Sequence, residues 1–234
     1  MSLPSRPSPR PLAPVAFRVL MESLADDEMV NIVLDRDGTV KIQRTLLLNL
    51  SPWFKTALTR GFMEGQSLKL RFPGFPSNVV QTFVYWIFHG RIPWDEDMPE
   101  GEMLKTHDLQ ALLARLWMFA EEHLLPDLQR AAMSALSEQQ THTLPAVELL
   151  LEVYKGTALD SPLRKAMANA AASGYTRRPN LSQIAYGYPR SDLDRVCAVP
   201  GFAADFATAI EGQVAQAHLS DDERDACLWR LRGA

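Results

Sequence analysis

The side chains in this sequence most able to bind a metal or attack a carbon centre are five histidines and two cysteines, and their spacing serves neither purpose. His89, His107, His123, His142 and His218 include no i,i+4 pair, and His-Glu-x-x-His is absent. Cys197 and Cys227 stand thirty residues apart, which gives neither a zinc-ligand spacing nor a disulfide framework. As nucleophiles they would need a base and an electropositive setting, and a small buried thiol is the commoner case. Asp35 and Asp37 hint at a calcium loop, but the glycine has the wrong offset and the later glutamate is missing, so a turn is expected. No Gly-x-Ser-x-Gly elbow or phosphate-cradling glycine loop occurs. The reading is therefore no catalytic residue, no metal and no cofactor, in a chain that is not an enzyme.

Two stretches could instead recognise a partner. Tyr175, Arg177, Arg178, Tyr186, Tyr188 and Arg190 interleave rings and guanidinium groups, the composition of a single-strand nucleic-acid surface. With a net charge of −4 for the whole chain, an irregular loop able to touch a protein is the better reading. In TRGFMEGQSLKL (residues 59–70), Phe62 and Met63 sit directly before Glu64, where a helix runs out. Either Phe62 closes the underside of the core beside a solvated acid, or an exposed ring anchors in a partner's groove while the carboxylate fixes register.

The elements that must position these residues follow from patterning. With 47% hydrophobic and 22% charged residues, a chain of 234 buries roughly 70% of its unfolded surface without staples. Residues 1–14 hold five prolines and are expected to be a disordered tail. Neither a leader-like apolar segment nor a membrane-length run is present, and the few cysteines fit a reducing compartment, so the expectation is an intracellular protein, cytoplasmic or nuclear. Phe17, Leu20, Met21 and Leu24 have helical spacing. Val30, Ile32 and Leu34, then Val40 and Ile42, predict a hairpin turning near Gly38. RTLLLNLSPWFKTALT predicts two short helices divided at Ser51-Pro52, and SLKLRF a strand with Leu68, Leu70 and Phe72 on one face. SNVVQTFVYWIFHG predicts an apolar helix closed by Gly90, and WDEDMPEGE a solvated loop.

From there helices take over. One stripe holds Leu109, Leu112, Leu113, Leu116 and Ala120, and the next Leu128, Ala131, Ala132, Ala135 and Leu136. Val147, Leu150, Leu151 and Tyr154 pair with SPLRKAMANAAASG, which has Ser-Pro at its start and Gly at its end. Phe202, Phe206, Ile210 and Val214 form another stripe, and Ser220 and Glu223 have capping-box spacing.

This order of elements resembles the BTB/POZ domain, and VKIQRTLLLNLSPWF is similar to a pattern of that family. Val40 and Ile42 stand as the strand pair, Gln43 and Arg44 in the His-Lys places, then Leu47, Ser51 and the aromatics Trp53 and Phe54; Phe88, His89 and Gly90 stand in the Tyr-Thr-Gly places. The resemblance covers roughly residues 18–140, and the helical continuation looks most like fungal BTB proteins. It implies an α+β BTB/POZ fold at 15–140, helices on a small sheet, followed by an all-helical extension at 141–234. It also implies a protein-interaction module that homodimerises through a seam including Leu46, Leu47, Leu50 and Trp53. In family members that resemble cullin adaptors, an apolar residue, any residue and then Glu contact the cullin scaffold of a ubiquitin ligase. Phe62, Met63 and Glu64 match, and the helices at 144–174 occupy the place of a further helical box. The alternative is a scaffold or transcription co-regulator without cullin binding. The acid that often opens the first strand, opposite the basic residue at the seam, has Met29 near its place while Arg44 persists. No zinc fingers, kelch or ankyrin repeats follow, so neither DNA binding nor a substrate-receptor module carries over from the resemblance; with the net charge of −4, protein partners are expected, without nucleic acid or membrane.

Overall fold

The structure, a computed structural model, describes residues 22, 27–34, 38–59, 61–93, 106–141, 143–176 and 187–217. Several expectations fall outside these residues: the Pro-rich tail, the helix over Phe17 to Leu24, the turn at Asp35 and Asp37, the acidic loop, the Tyr/Arg stretch at 177–186 and the segment with Ser220 and Glu223. Among the described residues the fold is α+β and mostly helical, with ten helices and one three-stranded mixed sheet. The chain divides into two compact units, 1–77 and 78–234, a division inside the 15–140 span expected to be one domain.

The first unit is built on β1 (Met29–Leu34) and β2 (Gly38–Gln43), paired antiparallel from Met29↔Gln43 to Leu34↔Gly38. Val30, Ile32 and Leu34 point into the core, as period-2 alternation demands. Gly38, the first residue of β2, has φ +91°, a conformation that side chains resist. Next come α1 (Arg44–Leu50) and α2 (Pro52–Ala57), separated where the Ser51 hydroxyl accepts the Phe54 N–H and Pro52 takes the first helical position. After the short α3 (Met63–Ser67), β3 (Lys69–Leu70) runs parallel to β1, giving the order β2-β1-β3. This strand is two residues long, shorter than SLKLRF predicts. Leu68 is left-handed (φ 50°) as the chain leaves α3, which delays pairing, and the turn at Gly74 takes the chain away. Leu70 and Phe72 are nonetheless buried.

The second unit contains α4 (Ser77–His89), which begins at the division and stops before Gly90, whose N–H bonds to the Trp86 carbonyl at φ +65°. The most extensive packing of α5 (Thr106–Glu122) is against α6 (Pro126–Gln140), burying Leu113, Leu116 and Phe119 with Leu128 and Leu136. Between them the N–H groups of Leu124 and Leu125 turn back to the carbonyls of Glu121 and Ala120, a Schellman closure with Leu124 in the left-handed place usually given to glycine.

Of the remaining helices, α7 (Val147–Gly156) and α8 (Pro162–Thr176) were expected to pair. They do touch, but α8 packs far more against α10 (Phe202–Ala217), where Ala168, Ala172 and Ala209 allow close approach beside Phe206 and Ile210. Gly174 does not end α8 as the pattern suggests. It lies inside the helix, where a Cβ would stand 2.7 Å from Leu144 Cδ1 and 3.1 Å from the Gly187 nitrogen, so the glycine serves close approach. A further helix, α9 (Arg190–Cys197), forms where the sequence showed no apolar stripe.

Candidate functional site

The Phe62-Met63-Glu64 segment is shaped by a local hydrogen-bond chain. At the end of α2 the Leu58 N–H bonds to the Phe54 carbonyl, Thr59 N–H to Thr56, and Phe62 N–H to Thr59 at 3.0 Å. Phe62 is extended (φ −105°, ψ 154°) and opens α3, accepting the Gln66 N–H at 3.1 Å. Ser67 Oγ donates to the Met63 carbonyl at 2.7 Å. Helix α3 is absent from the expectation of a helix end leading straight into a strand. Its sequence, MEGQS, has a glycine in the middle and shows no period long enough to read.

That glycine is the structural key. Gly65 is buried, and a Cβ placed on it would lie 2.0 Å from the Thr59 carbonyl oxygen and 2.8 Å from the Leu58 carbonyl carbon. Helix α3 therefore lies directly on the backbone leaving α2, and the preceding turn carries the side chains outward. Phe62 is 51% exposed, Met63 81% exposed, and Glu64 exposed beside them. Leaving α3, Leu68 presents its carbonyl to the Asn31 N–H at 2.8 Å, which ties the segment to β1.

Arg44 links this segment to the start of the sheet. Its Nη2 donates to the Leu58 carbonyl at 2.8 Å, and its Nη1 meets Glu28 Oε2 at 3.1 Å. The backbone repeats the connection, with Arg44 N–H to the Glu28 carbonyl at 2.8 Å and Thr45 N–H to Asp27 Oδ2 at 2.7 Å. An acid opposite Arg44 is thus present, one residue ahead of Met29, where spacing alone did not find it. Because half of Glu28 is solvated, the ion pair itself adds less than the backbone bonds around it.

The four residues named for the seam have unequal settings. Leu47 is fully enclosed by its own chain, whereas Leu46, Leu50 and Trp53 are half-buried. The Trp53 ring sits edge-on to Phe54 at 5.1 Å and 6.2 Å from Phe72. Leu47 therefore supports the surface that the other three help to form.

The remaining candidates lie in the second unit. Tyr175 and Tyr188 bracket the Tyr/Arg stretch: the Tyr175 hydroxyl accepts the Tyr188 N–H at 2.8 Å, and the Tyr188 hydroxyl donates to the Pro145 carbonyl at 2.7 Å. Burial, then the neighbouring Tyr175, pushes the Tyr188 phenol well above its ordinary range. Arg190 is exposed at the start of α9. A groove of about 420 Å³ between α8 and α10 is lined by Lys165, Asn169, Asp205 and Gln213 among others. Asp205 accepts the Tyr154 hydroxyl there at 2.9 Å.

His89 stacks on Tyr85, His107 is exposed, and His123 is buried against Phe119; His142 and His218 lie outside the described residues. Cys197 is exposed rather than the buried thiol expected, since it ends α9 beside solvent; partial desolvation and then Asp194 raise its thiol pKa, and Cys227 lies outside the described residues. Among the described residues no three His, Cys, Asp or Glu side chains gather to hold a metal ion, and no helix is long and apolar enough to cross a membrane. Compared with protein-family models and with curated proteins, the sequence matches none.

Proposed function

We propose that this chain is a BTB-type protein-interaction module that presents Phe62, Met63 and Glu64 to the cullin scaffold of a ubiquitin ligase, as an adaptor for a further protein. The observation that carries this reading is the open ledge at residues 62–64. Two large apolar side chains and a carboxylate stand in solvent, on a backbone held by Gly65, Arg44 and Asn31. Exposed apolar surface favours association in water, and a half-open ring with a neighbouring charge supplies both an anchor and a register. Half-buried Leu46, Leu50 and Trp53 support a symmetric homodimer seam elsewhere on the same unit.

A pull-down with purified cullin tests the adaptor role. The parent chain is expected to bind, with Phe62→Ala and Glu64→Lys each weakening binding by about tenfold or more, since a central aromatic anchor is worth about 2 kcal/mol. No binding by the parent, or equal binding by both variants, removes the cullin assignment. One observation favours the second reading, a BTB scaffold or transcription co-regulator without a cullin. The Glu28–Arg44 pair supplies the acid and base that the family's charged seam pocket uses. A parent chain that fails to bind cullin but forms a homodimer, weakened in Arg44→Ala, would favour it.

A further inference from the structure

The ledge carries a side chain whose chemistry the docking reading does not use. Met63 is the most exposed large apolar residue among the described residues, at 81%. Met29 is half as exposed, Met118 and Met133 are half-buried, and Met167 is enclosed with its sulfur accepting from Gln140 Nε2 at 3.3 Å. The fold holds Met63 through its backbone carbonyl, bonded by Ser67 Oγ, so the thioether can change without breaking that contact.

We infer that Met63 is a redox modification site: oxidation of its thioether to the sulfoxide by hydrogen peroxide weakens the docking surface, and thiol-dependent reduction restores it. A sulfur lone pair attacks one peroxide oxygen, the S–O bond forms as the O–O bond breaks, and the leaving hydroxide takes the remaining proton to become water. The sulfur loses two electrons and the peroxide gains them. In the reverse step two thiols become a disulfide, the sulfoxide oxygen leaves as water, and the thioether returns. The sulfoxide places a strong dipole between the Phe62 ring and the Glu64 carboxylate, where an apolar groove would have to desolvate it. The nearest competitor in chemistry, Cys197, is exposed, but partial desolvation and then Asp194 raise its thiol pKa, which lowers the thiolate fraction that reacts with peroxide.

The inference rests on the docking reading, so the test separates the two. The full chain is treated with dilute hydrogen peroxide, and sulfoxide at each methionine is measured by peptide mass spectrometry. Met63 is expected to oxidise about tenfold faster than Met167 and faster than Met29, with circular dichroism unchanged. Cullin affinity is expected to fall by about tenfold as the Met63 sulfoxide accumulates, and to return with methionine sulfoxide reductase and a thiol. Met63→Leu, whatever its own starting affinity, should lose none on peroxide treatment. Oxidation of Met63 no faster than Met167, unchanged binding with Met63 fully oxidised, or an equal peroxide loss in Met63→Leu overturns the inference while leaving docking intact. An untreated chain that fails to bind cullin refutes docking and this consequence together.

Discussion

Replacing Gly65 by alanine tests how the ledge is held. In an ordinary helix interior this change stabilises by about 1 kcal/mol, because glycine has more backbone freedom to lose. Here the new Cβ would stand 2.0 Å from the Thr59 carbonyl oxygen and 2.5 Å from its carbon, and backbone cannot swing aside as a long side chain can. Relieving that overlap requires about 1 Å of movement between α3 and the exit of α2, comparable to severe overpacking of a core, which costs about 2–3 kcal/mol. The net result is a local loss of about 1–2 kcal/mol. Amide hydrogen exchange over residues 61–68 reads it directly, because the Gln66 N–H is held by the Phe62 carbonyl. Exchange there should be about 5- to 30-fold faster than in the parent. Gly61→Ala is the control, since a Cβ on Gly61 meets nothing within 4 Å, and it should leave exchange nearly unchanged. Protection in Gly65→Ala equal to or above the parent would refute the close-packing account.

Three further outcomes follow from other residues. Arg164 is 5% exposed and donates to the carbonyls of Tyr154, Thr157 and Pro200, so Arg164→Met takes this donor from the carbonyl of buried Tyr154 and should lower second-unit stability by about 1–3 kcal/mol in urea unfolding; a variant as stable as the parent contradicts that role. Burial holds His123 below the ordinary imidazole range despite its bond to Phe119 and the nearby Glu122. The unfolded chain then binds the proton more readily, and stability should fall as pH drops from about 6.5 toward the lowered value. His123→Gln should lose this component of the pH slope in thermal unfolding, and identical slopes would argue against a buried neutral ring. If Leu46, Leu50 and Trp53 form a seam, sedimentation at about 10–50 μM should show a dimer, since an ordinary specific interface holds at that concentration; a stable monomer there counts against it.

Much of the fold was legible because local rules and packing agree. The hairpin follows from alternation at Val30, Ile32, Leu34, Val40 and Ile42, and the break between α1 and α2 from a serine cap followed by proline. What escaped the sequence depended on approach between backbones. Helix α3 exists because Gly65 lets it rest on Thr59, a contact with no signature in MEGQS. Gly174 looked like a helix end but serves close packing against Leu144 and Gly187. The Glu28–Arg44 pair was hidden by a one-residue offset that only the β1–β2 register reveals. At the candidate site, residue types could nominate Phe62, Met63 and Glu64, but their solvent exposure is a property of the turn and the short helix that carry them.

The measurement closest to the central claim is hydrogen exchange of the full chain with and without saturating cullin scaffold. Docking on the ledge predicts slowed exchange over residues 61–67 in the complex, with the protection lost in Phe62→Ala. A complex that forms while these residues exchange as in the free chain would contradict the claim, as would the absence of any complex.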